Sequence, residues 1–139
     1  MSKDKRRCRL CLVTPADHSR VDCERLVAAA LSGGDVAALI ITTAADATDP
    51  DWLQGLAEAV VPIAANRGVA AIVHNDTRIA GRVRADGIHI DTGPEGVAAA
   101  VDAARGKRMV GAGGVASRHD AMVNAEAEPD YLFFGLLDG

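Results

Sequence analysis

Aromatic side chains are scarce in this 139-residue chain, which has one tryptophan, one tyrosine and two phenylalanines. A core without large rings must fill with Ala, Val, Leu and Ile, which suits helices packed closely on a sheet. Long apolar runs are missing too. None approaches the roughly 20 residues that span a bilayer, and no stretch reads as a signal peptide, so the reading is a cytoplasmic protein with no membrane partner. Positive charge is in deficit, with 15 Lys and Arg against 19 Asp and Glu. The net charge of −4 argues against nucleic acid as a partner. The basic cluster "KDKRRCR" at the N-terminus reads as a solvated lead-in. Cysteine is limited to Cys8, Cys11 and Cys23. Although Cys8 and Cys11 form a C-x-x-C, no second ligand pair follows at zinc spacing, and the expectation is buried free thiols in a reducing compartment.

What is present is a rhythm. Apolar runs at 9–14, 36–42, 69–74, 87–90, 108–112 and 130–134 read as strands. Helical spacing follows each of the first five, near 22–32, 52–66, 77–83, 94–105 and 117–127, with Asp22 a candidate cap for the first. Strands that are apolar throughout belong to a parallel sheet covered by helices. Two architectures repeat βα units in this way, the doubly wound sheet and the (β/α)8 TIM-type barrel. The length fits one domain over 1–139.

In either architecture ligands bind where the strands end. Those ends carry Thr14, then Thr42 and Thr43, then Asn75 and Asp76, then Asp91 and Thr92, then Gly111 to Gly114. Asp76 is the best single candidate for a hard cation such as Mg²⁺, which takes one or two carboxylates and completes its shell with water and phosphates. The competing reading is a helix cap. Asp91 is a turn residue or a second ligand. The stretch "GAGGVA" follows the fifth strand, not the first, and lacks the acid of a dinucleotide site. It reads as a tight turn or as a loop whose Gly113 and Gly114 amides face a phosphate. His74 and His89 read as packed, hydrogen-bonded histidines.

The stretches "LCLVT", "AIVHNDTRIAGRVRADGIHI" and "DYLFFG", in this order and spacing, resemble the thiamine-phosphate synthases and their thiazole-tautomerase relatives. The resemblance implies a (β/α)8 barrel, here an incomplete one of about six βα units. It implies a reaction joining hydroxymethylpyrimidine diphosphate to thiazole phosphate with loss of diphosphate. On that carry-over Asn75 holds the pyrimidine diphosphate and Asp76 is a Mg²⁺ ligand. The family's Gln and Arg-x-Lys after the second strand are replaced by "ALIITTAAD", with no basic residue, and its later metal Asp falls near Pro94. Activity is therefore expected to be reduced or lost. The alternatives are a non-catalytic binder of a phosphorylated small molecule and, ranked lowest, a tautomerase using His89. Six strands leave two open edges, so either chain beyond residue 139 or a homo-oligomer is expected to complete the sheet.

Overall fold

The computed structural model describes residues 8–15, 19–42 and 50–137. Six strands alternate with five helices: β1 Leu10–Val13, α1 Arg20–Ser32, β2 Val36–Ile41, α2 Pro50–Asn66, β3 Ala70–His74 and α3 Thr77–Arg82, then β4 Gly87–Ile90, α4 Pro94–Ala104, β5 Met109–Val115, α5 Arg118–Ala125 and β6 Tyr131–Phe134. Every strand pairs in parallel with the next in sequence, in the order β1 to β6. That order excludes the doubly wound alternative, whose chain reverses direction across the sheet. The sheet is a curled half-barrel of TIM type, with the helices packed on its outer side.

Strand alternation divides the apolar residues into two layers. Leu39, Ile41, Ala71, Val73, Ile88 and Val110 face outward and pack with Val27, Leu56, Val60, Ile79 and Val97 of the helices. Ile40 and Ile72 are also buried and pair with each other on the inner face. Ala57, Ala64, Ala80 and Ala100 line the buried helix faces, where the small side chain allows close approach to the sheet.

Local chemistry explains the ends of the elements. Ser19, not Asp22, caps α1, its hydroxyl accepting from the Asp22 amide at 3.2 Å. Ser117 caps α5 in the same way, and Pro94 opens α4. The glycine-rich stretch, expected beyond a strand ending at residue 112, is instead strand as far as Val115. It carries a register irregularity between Ala112 and Val115, and Gly114 has a φ of 70°. This is a bulge that only a residue without Cβ adopts cheaply. Cys23 is buried as expected, but Cys8 and Cys11 are exposed free thiols.

The exposed large apolar side chains lie at the two ends of the sheet: Leu10, Val21 and Leu26 at one, Met122, Leu132, Phe134 and Leu136 at the other. Among the described residues no helix is long and apolar enough to cross a membrane.

The layered core predicts an asymmetric response to truncation. Leu56 is fully buried, and Leu56→Ala is expected to cost about 2–5 kcal/mol in urea unfolding. Phe134, 64 % exposed at the sheet edge, is expected to change stability by less than about 0.5 kcal/mol as Phe134→Ser.

Candidate ligand site at the strand carboxyl ends

The carboxyl ends of β1 to β4 are joined by side chains. Thr14 donates its hydroxyl to the Thr42 carbonyl at 2.9 Å and accepts the Thr42 amide at the same distance. Thr42 Oγ1 lies 2.8 Å from His74 Nδ1, and His74 Nε2 lies 2.7 Å from Asp91 Oδ2. Asn75 then closes a two-way bridge to the same aspartate. Its Nδ2 donates to Asp91 Oδ1 at 2.9 Å, while its Oδ1 accepts the Asp91 amide at 3.1 Å. Asn75 holds this position with φ of 59°, a left-handed conformation that asparagine tolerates better than most residues. Its own amide donates to the His89 carbonyl at 2.8 Å.

A second group lies beneath this one. Parallel register sets His74 beside His89, His89 beside Gly111, and Gly111 beside Tyr131. His89 is fully buried, with Nδ1 2.7 Å from the Tyr131 hydroxyl and no partner for Nε2. A Cβ on Gly113 would overlap the His89 ring, and one on Gly111 would overlap Tyr131. The glycines are therefore fixed by close approach of two rings.

Electrostatics follow from these contacts. Burial pushes the Asp91 carboxyl upward, but hydrogen bonds from Asn75 and His74 and the charges of His74 and His89 outweigh it and leave it below the ordinary value. Burial and the neighbouring His74 lower His89 to about 4, against a weaker opposing pull from Asp91. Burial raises Tyr131. The inner rings are thus neutral across the physiological range, and Asp91 is ionised.

The expected site residues separate on this geometry. Thr42, Asn75 and Asp91 come together, while Thr43 lies outside the described residues. Asp76 caps α3, Oδ1 accepting the Ile79 amide at 3.0 Å. Gly113 is buried beneath His89, and the Gly114 amide donates to the Gly135 carbonyl at 2.9 Å, so that N–H does not face a phosphate. Among the described residues no three His, Cys, Asp or Glu side chains converge on a point that could hold a metal. Both Asp91 oxygens already accept hydrogen bonds, so a cation there would compete with His74 and Asn75. The second Asp76 oxygen fits a cation that brings most of its own ligands. A cavity of about 250 Å³ lined by Thr77, Ile88, Ala100 and Arg108 lies elsewhere, in the helix layer. The His74–Asp91 pair was not apparent in the sequence. Its signal is weak: a histidine closing one strand and an aspartate just past the end of the next.

The thiamine monophosphate synthase family model matches residues 10–137. The chain belongs to the thiamine monophosphate synthase family. It is 34 % identical over 134 residues to a thiamine-phosphate synthase of Rhodospirillum centenum, covering 92 % of this chain and 61 % of the relative. The fold resembles a thiamine phosphate pyrophosphorylase from Pyrococcus furiosus at 21 % identity, with TM-score 0.73 over 93 % of this chain and 60 % of that one. It also resembles a deoxyribose phosphate aldolase from Aeropyrum pernix at 19 % identity, with TM-score 0.72 over 90 % and 63 %. The chain thus spans about three-fifths of the length of these relatives.

The lowered His89 has a consequence for stability. The folded state resists protonating His89, whereas the unfolded chain takes up that proton near the ordinary value of 6.5. Stability is then fully present above 6.5 and is lost as pH falls toward about 4. Asp91, also lowered, adds a further loss below its ordinary value of 3.8. Urea midpoints measured across this range should fall with pH, and His89→Gln should flatten the decline above pH 4 without removing the acid limb.

Proposed function

We propose that this chain is a thiamine-phosphate-synthase-like protein whose rim binds hydroxymethylpyrimidine diphosphate, with coupling to thiazole phosphate reduced or lost. The observation that carries this reading is the Asn75–Asp76 turn at the end of β3. There the family motif keeps its residues, and Asn75 is bridged to the next strand at 2.9 and 3.1 Å. In this reading Asp76 meets a Mg²⁺ ion that arrives with the diphosphate, since its capping bond uses one oxygen only. The ion would neutralise charge on the leaving group.

The loss of coupling rests on charge. Stabilising a departing diphosphate needs positioned positive groups. Among the described residues no lysine or arginine joins the rim network, and its charged member, Asp91, is an anion. A non-catalytic binder of the same phosphorylated ligand is the second reading, favoured by that same shortage.

Calorimetry with the pyrimidine diphosphate and Mg²⁺ tests binding. Asp76→Asn keeps a capping oxygen and removes the charge, and is expected to weaken binding by about tenfold or more, the scale of one charge-assisted contact. Equal heats from the two proteins would exclude Asp76 from the site. Thiamine phosphate formation from both substrates, expected to be slow or absent, then decides between enzyme and binder.

A further inference from the structure

The cavity of about 250 Å³ in the helix layer lies between α3 and α4, over Ile88 of β4. Its origin is local. Helix α3 has six residues against eleven in α4 and leaves part of the groove over β4 open. Into that groove α4 presents Ala100, Ala103 and Ala104, a spacing that sets three small side chains on one face. Two arginines border the apolar floor, Arg78 on α3 and Arg108 just before β5; Thr77 adds a hydroxyl, and no carboxylate lines the space. We propose that this cavity is a ligand site separate from the rim, and that it takes a small organic phosphate, a body of a few carbons carrying one phosphate group.

Charge selects the ligand. The chain carries 19 acids against 15 bases, yet the charged groups of this lining are guanidiniums alone. Arg108 Nε donates to the Ala85 carbonyl at 3.1 Å, which fixes that side chain at the edge of the groove. Among the described residues its terminal nitrogens make no further hydrogen bond, and neither arginine meets a carboxylate. Two unpaired guanidiniums on one cavity repel each other and match a dianion, because each can fork onto two oxygens. A phosphate monoester supplies nearly two charges at neutral pH, whereas a carboxylate supplies one. The volume falls below the roughly 300–1,000 Å³ of drug-sized sites, and the floor is aliphatic, so the body is small and apolar.

Ile88 and His89 are neighbours in β4 and point to opposite faces of the sheet. The cavity and the inner rings therefore share a strand but no space. A phosphate held by Arg78 and Arg108 needs no Mg²⁺ and no member of the rim network. This site stands apart from the diphosphate reading and does not depend on it.

The test titrates the full chain with phenyl phosphate and follows the methyl resonances of Ile88, Ala100 and Ala103 and the Arg108 Nε–H. Saturable shifts of these signals are expected. Inorganic phosphate, which lacks the apolar body, and benzoate, which lacks a charge, should each bind about tenfold or more weakly than phenyl phosphate. Arg78 is exposed and has no hydrogen bond to lose among the described residues, and Arg78→Gln should weaken binding by about tenfold or more. Arg108→Gln should do the same. Ala103→Leu, at another exposed position of the lining, fills the space without changing charge and should abolish the shifts. Circular dichroism confirms that each variant folds. If Arg108→Gln does not fold for want of its bond to Ala85, Arg78→Gln and Ala103→Leu still decide. The absence of saturable shifts, shifts confined to Asn75 and Asp91 on the rim, unchanged affinity in Arg78→Gln or Ala103→Leu, or benzoate binding as tightly as phenyl phosphate overturns the proposal.

Discussion

Parallel pairing of each strand with the next in sequence is the constraint from which the rest of this molecule follows. It forces every connection to cross over on the same side, so the helices form a single outer layer and the inner face is left to side chains of the strands themselves. It also brings all carboxyl ends to one rim. Register then decides which side chains meet there. His74 pairs with His89 on the inner face, and Asp91, two residues further along the same alternation, reaches His74 from the next strand. A slip of one residue between β3 and β4 would turn His74 into the helix layer and dissolve the network.

The strands and helices were legible because apolar runs without alternation and glycine stops are local signals. The barrel-type order was legible only through the family motif, since alternation alone admits two sheet topologies. The rim was readable from strand polarity, and Thr42, Asn75 and Asp91 were placed on it. What was not readable depends on partners distant in sequence. Gly111 and Gly113 look like a loop because glycine weakens strands, and the reason they remain in β5 is the bulk of Tyr131 and His89 beside them. The choice of Ser19 over Asp22 as a cap turns on where the first helical hydrogen bond forms, which composition does not determine. The link between His74 and Asp91 needs the register of two strands.

Three aspartates show how position assigns work to one side chain. Asp86 and Asp130 stand just before β4 and β6, at the amino ends. Each carboxylate accepts the amide of the neighbouring strand, Ala71 at 2.8 Å and Val110 at 2.7 Å. They fix strand pairing, as expected at the stability face of a barrel. Asp91 stands at the opposite end and holds an imidazole and an amide side chain instead of backbone. The same chemistry thus serves pairing at one end and organises side chains at the other.

The rim network reaches one edge strand, β1, through Thr14, and lies away from the other, β6. Its members lie on the carboxyl ends of β1 to β4, whereas the exposed large apolar side chains lie at the amino end of β1, on α1, α5 and β6, and at Leu136 two residues past β6. Beneath the rim, His89 connects β4 to β6 through its contacts with Tyr131 and Phe133. Because His89 resists protonation and Tyr131 resists ionisation, that bridge stays neutral across the physiological range. The link from β6 to the rim is therefore one of ring packing against His89, and not of charge.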